Sequence, residues 1–126
     1  MEVIWVGVGG MVGAAARFGV SQVVADRWGA GLPYGTFLVN LTGSFAIGVI
    51  LTVLLDRVAD PVWRLLLVTG FLGGYTTFSS YSFELVTLIG GGRLGWAAVY
   101  LIVSNLFGVA ACATGAVCGR ELLLRL

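Results

Sequence analysis

Polar side chains recur at helical spacing inside otherwise apolar stretches of this 126-residue chain. Residues four apart lie on one face of a helix. One such face would carry Thr36, Asn40, Ser44 and Gly48. A second would carry Tyr100, Ser104 and Gly108, with Asn105 beside them. A third series recurs every three residues at Phe78, Tyr81 and Glu84, among hydroxyl side chains at positions 76, 77, 79, 80 and 82.

The chemistry of these side chains favours an anion over a cation. Polar groups inside membrane-spanning segments are costly, and they usually face protein or water and mark transport pathways. Apart from Glu84, the polar groups are mostly hydroxyls and amides that can donate hydrogen bonds, whereas cation pathways show rings of Asp or Glu. Arg17 adds a positive charge near one end. The alternative for any single residue is a hydrogen bond that only holds two helices together.

Four apolar runs, with Arg17 as an internal charge in the first and Glu84 in the third, could hold these residues within a membrane. About 20 apolar residues suffice to cross the hydrocarbon core. We expect an all-α integral membrane protein whose single transmembrane domain covers residues 1–126. Its helices are predicted near residues 3–25, 35–55, 62–89 and 94–119, with Arg17 inside the first and Glu84 inside the third. The linkers between them, at 26–34, 56–61 and 90–93, are short and turn-like, and the tail from Arg120 is short and mixed.

Composition excludes several other classes. Hydrophobic residues make up 59% and charged residues 10% of the chain, too little charge to cover a water-facing surface. The net charge of +1 provides no basic face, so we expect no nucleic-acid partner. The sequence shows no nucleophile with a matching base, so we do not expect an enzyme. The glycines near the start resemble a dinucleotide-binding turn, but Val12 stands where its third glycine belongs and no βα pattern follows.

Twenty glycines point to close helix packing. Within lipid, helices associate through small residues that let their backbones approach. Such faces are predicted at Gly9 and Gly13, at Gly115 and Gly119, and around Gly43 and Gly48. Because four helices alone bury few side chains, we also expect the chain to form an oligomer.

Residues 69–77 predict a break near the middle of the third helix. This segment combines paired glycines with paired threonines, and a break frees backbone carbonyl groups that need partners at membrane depth. If the break lies on the two-fold axis of a dimer, carbonyls from two chains could hold an ion of the size of Na⁺. The alternative is a kink capped by hydroxyl groups.

The arginines give little bias in orientation. One side of the membrane would hold Arg57, Arg64, Arg120 and Arg125, and the other Arg27 and Arg93, with Arg17 nearby. Since Lys and Arg near span ends set topology, four against three permits insertion in both directions. This favours an antiparallel, dual-topology homodimer; a fixed but weakly set orientation is the alternative.

Three motifs carry a family resemblance. In order, they are Gly9-Gly10-x-x-Gly13-Ala14-x-x-Arg17-Phe18, Thr36-x₃-Asn40-x-x-Gly43-Ser44-Phe45-x-x-Gly48 and Gly70-Phe71-x-Gly73-Gly74-x-Thr76-Thr77-Phe78-Ser79. Together they resemble the Fluc (CrcB) family of fluoride ion channels over all four helices. The second and third motifs are the specific ones, and Tyr100 and Ser104 also match the family's fourth helix.

The resemblance implies a passive, fluoride-selective channel in the inner (plasma) membrane that exports cytoplasmic fluoride. It implies an antiparallel homodimer in lipid with two pores, each lined by both copies. Asn40 matches the pore asparagine and Phe78 the first of two pore phenylalanines, with Ser79 beside it. A polar track along the pore is matched by Thr36, Glu84, Tyr100 and Ser104, and the vestibule arginine by Arg17. The backbone carbonyls of Gly73 and Thr76 match the donors to a structural Na⁺, and no organic cofactor is expected.

Tyr81 departs from the family pattern, which usually has a second phenylalanine at that position. The tyrosine keeps an aromatic ring with an electropositive edge and adds a hydroxyl. Two other classes remain as alternatives. A small four-helix multidrug or guanidinium exporter would need a carboxylate deep in its first helix, where this chain has Arg17. A non-transporting membrane assembly protein would not need three polar series.

Overall fold

The helices of this chain run up and down in a bundle. The computed structural model describes residues 1–57 and 60–125, and we number its helices α1 to α5 in chain order. They are α1 (Glu2–Trp28), α2 (Tyr34–Arg57), α3 (residues 61–75), α4 (Phe78–Gly90) and α5 (Leu94–Arg125). Within these ranges the chain is helical apart from short connections, and it contains no strand.

Three of the helices are long and apolar enough to cross a membrane. They are α1, residues Tyr34–Leu54 of α2, and α5. The remaining predicted span is a bent element, because it is divided into α3 and α4, neither of which is long enough alone. The all-helical class is therefore confirmed, with three continuous spans and one bent helix.

The helix ends differ from the predicted ones where charge was taken as a boundary. α1 continues to Trp28, past Asp26, and α5 continues to Arg125, so the tail from Arg120 is helical and not an irregular end. Charged residues mark where an apolar run leaves the hydrocarbon, but they are compatible with a helix that extends into water. The predicted linker at 56–61 lies partly outside the described residues, as does residue 126.

α3 has an unusual course. Asp60 caps its start, since its Oδ1 accepts from the Val62 N–H at 2.9 Å, and Pro61 occupies the first turn, where its missing N–H costs nothing. The helix then continues as a π-helix over Arg64–Leu72 and ends in the short turn Gly73–Tyr75. No feature of the sequence predicted the π-helical stretch.

The break between α3 and α4 lies at Thr76 and Thr77. Both residues have extended backbones, with φ/ψ of −81°/156° and −150°/116°, whereas Gly73 keeps helical angles. The Thr76 hydroxyl donates to the Leu72 carbonyl at 2.9 Å, and the Thr77 hydroxyl accepts from the Ser80 N–H at 3.2 Å. The predicted break is therefore present, but the β-branched threonines form it and the glycines remain in the helix.

Glycines bring α1 and α3 into backbone contact. A Cβ atom on Gly13 would overlap the Phe71 carbonyl oxygen, and one on Gly70 would lie 2.8 Å from the Val6 carbonyl oxygen. A Cβ atom on Gly74 would meet the Gly10 carbonyl oxygen. Gly74 thus has a packing role that its position in the predicted break did not reveal.

A second glycine contact joins α2 and α5. A Cβ atom on Gly48 would collide with the Cys112 carbonyl oxygen, and one on Gly115 with the Phe45 carbonyl oxygen. On Gly119 a Cβ atom would lie 3.0 Å from the Cβ of Thr52. The predicted small-residue faces are therefore used for close packing between helices of the same copy.

Two arginines fasten the ends of the bundle. Arg93 donates from Nη1 to the Gly31 carbonyl at 2.7 Å, which joins the α1–α2 turn to the α4–α5 turn. At the opposite end, Arg57 donates from Nη2 to the Leu123 carbonyl at 3.2 Å. The bond from Arg93 to Gly31 places the α1–α2 and α4–α5 turns on the same side of the bundle. Each of these two turns contains a glycine with positive φ, Gly29 at 81° and Gly92 at 74°.

The contact between α1 and α3 yields a stability prediction. Gly13→Ala places a methyl group against the Phe71 carbonyl, and we expect the folded state to lose about 1–3 kcal/mol, as in overpacked cores. Gly7→Ala is the matched control on the same helix, because no described atom outside the neighbouring backbone of α1 lies within 4 Å of its Cβ position. It should be neutral or stabilising by up to about 1 kcal/mol, since alanine favours helix. Thermal unfolding in detergent measures both, and equal stabilities would contradict the backbone contact.

Candidate functional site

Asn40 on α2 holds the break between α3 and α4. Its Nδ2 donates to the Thr77 carbonyl at 3.0 Å, and the Thr77 N–H donates to its Oδ1 at 2.8 Å. The amide therefore satisfies both polar groups of one residue in the break. In a continuous helix, the Thr77 N–H would donate to the carbonyl of Gly73. Because it donates to Asn40 instead, the Gly73 carbonyl loses its usual helical partner.

A cavity of about 360 Å³ adjoins the break. It combines the amide of Asn40 with backbone of the break and several apolar side chains. The lining residues are Asn40, Gly43, Ser44, Ile47, Val68, Leu72, Gly73, Thr76, Thr77 and Phe78. The structure thus brings Asn40 of the second motif together with three predicted site residues of the third motif, which are Gly73, Thr76 and Phe78. Ser44, one turn from Asn40, also reaches this cavity.

Glu84 is the centre of a second polar cluster, which joins three helices. Its Oε1 accepts from the Thr36 hydroxyl at 2.6 Å, and its Oε2 accepts from the Tyr100 hydroxyl at 2.8 Å. The three predicted residues Thr36, Glu84 and Tyr100 therefore form one hydrogen-bonded group. A cavity of about 500 Å³ beside the turns at 29–33 and 91–93 is lined in part by Thr36, Glu84 and Arg93.

Aromatic rings lie between the two clusters. The ring centroid of Tyr81 is 5.6 Å from that of Phe78 and 5.1 Å from that of Tyr100, the latter in an edge-on arrangement. Tyr81 is only 7% exposed and belongs to the core cluster with Leu88, Ala97 and Tyr100, whereas Phe78 is 78% exposed. The two predicted ring positions thus differ within one copy: one ring is packed inside and the other projects from the surface.

The remaining predicted residues are placed less tightly. The Ser104 Oγ is buried and has no hydrogen-bond partner among the residues that the structure describes. Ser79 is exposed, and its hydroxyl lies 3.2 Å from the Thr77 hydroxyl. Arg17 is half-buried on α1 and lines neither of the two cavities. A single copy therefore does not bring Arg17 to the polar clusters.

Two residues have roles that sequence reasoning missed. Thr77 entered only as a flanking hydroxyl, although its peptide group is the partner of Asn40; nothing in the sequence signals a backbone contact of this kind. Asn105 lies beside the Tyr100 and Ser104 series, and its Nδ2 donates to the Tyr81 hydroxyl at 2.9 Å. Its signal was an amide within an apolar run, one position from the predicted face.

Comparison with known proteins places this architecture in a family. The family described as "CrcB-like protein, Camphor Resistance (CrcB)" matches residues 4–116. A protein from Roseiflexus sp. (strain RS-1) is 46% identical over 123 residues, which is 97% of this chain and 99% of that protein. One from Acidobacterium capsulatum is 42% identical over 125 residues, covering 98% and 99% of the two chains.

A third relative, from Koribacter versatilis, is 44% identical over 111 residues, or 87% of this chain and 88% of its own. All three relatives carry the name "Fluoride-specific ion channel FluC". The family match at residues 4–116 spans nearly all of α1, the whole of α2 to α4 and most of α5, and so the stretch of chain that holds both polar clusters. Its extent and identity confirm what the three motifs predicted: this chain belongs to the CrcB family.

Proposed function

We propose that this chain is a passive, fluoride-selective channel of the plasma membrane through which cytoplasmic fluoride leaves the cell. The observation that carries the proposal is 46% identity, over 97% of the chain, to a protein named as a fluoride-specific ion channel. The two polar clusters support it, because they place polar groups at two positions in an otherwise apolar bundle.

The available donors suit a small, strongly hydrated anion. A path for fluoride must replace the water molecules that donate to the ion. The Nδ2 group of Asn40 uses one hydrogen for the Thr77 carbonyl and keeps a second, since an amide nitrogen carries two. The Ser104 hydroxyl, one helical turn from Tyr100, has no hydrogen-bond partner among the described residues. The edges of the Phe78 and Tyr81 rings are electropositive. No step requires a proton or a second gradient, which favours a channel over a pump.

We propose that the working unit is an antiparallel homodimer with two pores, each lined by both copies. Three residues beside the break, Gly73, Phe78 and Ser79, are exposed in one copy. Broken backbone at membrane depth is tolerated only where protein or water covers it. A second, inverted copy would cover this face and complete the walls of the path. Arg17 would then attract anions at a vestibule shared by the two copies.

We further propose that the break holds a structural Na⁺ on the dimer axis through the carbonyls of Gly73 and Thr76. The Thr77 N–H donates to Asn40 and not to the Gly73 carbonyl, and the Ser80 N–H donates to the Thr77 hydroxyl and not to the Thr76 carbonyl. Both proposed ligands thus lack their usual helical donors, and carbonyl oxygens are ligands that suit a hard cation. The alternative is a kink that is capped by the hydroxyls of Thr76 and Thr77 and holds no ion.

The function is tested by release of fluoride from liposomes that contain the purified chain. We expect rapid release, measured with a fluoride electrode, and little release of chloride from matched vesicles, because the narrow path admits only the smaller halide. Comparable chloride and fluoride release, or no fluoride release at all, would contradict the proposed function.

Asn40→Asp should reduce fluoride release by about 100-fold. The carboxylate has no donor for the Thr77 carbonyl and adds negative charge to the path, and the loss of one buried partner alone costs about 1–3 kcal/mol. Thr52→Val is the control on the same helix, because the Thr52 hydroxyl donates within its own helix, to the Gly48 carbonyl at 2.8 Å. It should keep normal release, and unchanged release with Asn40→Asp would remove Asn40 from the path.

The sodium site is tested by preparing the protein without sodium. The buffers contain N-methylglucamine and potassium, and no other small cation. Two carbonyls from each of two copies would place four carbonyl dipoles at one axis, where they repel one another without a cation. We therefore expect fluoride release to be lost and to return when sodium is added. Full release without sodium would show that the break is a capped kink alone.

A further inference from the structure

Among the residues that the structure describes, one side chain from the neighbouring helix forms a hydrogen bond with the Tyr81 hydroxyl. The Tyr81 ring starts on α4 and packs edge-on against Tyr100, and its hydroxyl end reaches α5. There the Asn105 Nδ2 lies 2.9 Å from the hydroxyl oxygen. The ring is 7% exposed, so its hydroxyl would be costly to leave without a partner in this apolar surrounding.

The direction of this hydrogen bond follows from a third group. The same Asn105 Nδ2 lies 2.7 Å from the Leu101 carbonyl oxygen, which can only accept. The atom between the two oxygens must therefore be the amide nitrogen, with one hydrogen for each. Asn105 bonds to its own helix on one side and holds the tyrosine oxygen on the other, and this bridge fixes where the hydroxyl end of the ring lies.

The held ring in turn supports Phe78. That phenylalanine is 78% exposed and borders the cavity at the break, and the Tyr81 ring is its aromatic neighbour at 5.6 Å. A change in the position of Tyr81 would therefore be transmitted to a ring that faces the proposed path. Asn105 itself lies on the exposed surface of α5 and lines neither of the two cavities described above, so its effect on Phe78 would act through Tyr81.

We infer that Asn105 is a positioning residue that holds the Tyr81 hydroxyl against α5 and thereby keeps it out of the ion path; this inference rests on the proposed function. Removing one partner of a buried hydrogen bond leaves the other unsatisfied, whereas removing both can be nearly neutral. Without Asn105 the Tyr81 hydroxyl must find another polar partner, and its movement would shift the Tyr81 ring against Phe78. Without the hydroxyl, Asn105 has nothing to position.

The test compares Asn105→Leu, Tyr81→Phe and the double variant in the liposome assay with fluoride and chloride. Asn105→Leu should slow fluoride release by about threefold to tenfold, the effect of one unsatisfied hydrogen bond. Tyr81→Phe alone gives the reference rate without the hydroxyl, and adding Asn105→Leu to it should cause no further slowing. Thr114→Val is the control, because the Thr114 hydroxyl makes the same kind of bond to its own helix, to the Ala110 carbonyl at 2.8 Å, and should leave release unchanged.

The outcomes separate the inference from the function on which it rests. An unsubstituted chain that releases no fluoride counts against the proposed function. Normal release by the unsubstituted chain, with no change in Asn105→Leu, overturns the positioning role alone. A purely structural role for Asn105 predicts the same loss with and without the Tyr81 hydroxyl, so an equal further loss when Asn105→Leu is added to Tyr81→Phe also overturns it. Gel filtration of each variant shows that equal amounts of assembled protein are compared.

Discussion

The pair of hydrogen bonds between Asn40 and the peptide groups of Thr77 is the interaction on which the site depends. A helix cannot be interrupted inside a membrane unless the peptide groups at the interruption find other partners. Here one amide side chain supplies a donor at 3.0 Å and an acceptor at 2.8 Å. This arrangement allows α4 to begin afresh at Phe78, so that its side chains need not continue the register of α3. The orientation of Phe78, Tyr81 and Glu84 therefore follows from Asn40.

Backbone contacts through glycine keep the broken element in place. Gly70 and Gly74 of α3 lie directly on α1, and the corresponding faces of α2 and α5 meet at Gly48 and Gly115. Such contacts cannot adjust by a change of rotamer, because no side chain lies between the backbones. They provide fixed supports on both sides of the break. Because these glycine contacts hold the helices together, the polar side chains are not required for that packing and can form the site.

Much of this architecture could be predicted from the sequence, but only the features that depend on the spacing of residues close together in the chain. The four apolar runs, the glycine faces and the polar series depend on local spacing, and each predicted real elements. Thr36, Glu84 and Tyr100 each belong to a predicted polar series, but the hydrogen bonds that join them were not predicted. The position of the break at the threonines, the π-helical stretch and the bond from Asn105 to Tyr81 could not be predicted. They depend on contacts between residues 24 to 37 positions apart, or on backbone geometry that no residue type specifies.

The depth of the break has a consequence for how two copies can meet. Gly74 lies beside Gly10 and Ala14, close to the midpoint of α1 (Glu2–Trp28), so the break is near the middle of the bundle's height. A feature at half height keeps its level when the molecule is turned upside down. Two chains inserted in opposite directions would present their breaks to each other at one level. The Thr36, Glu84 and Tyr100 cluster lies off centre, so inversion would yield two such clusters, one towards each surface.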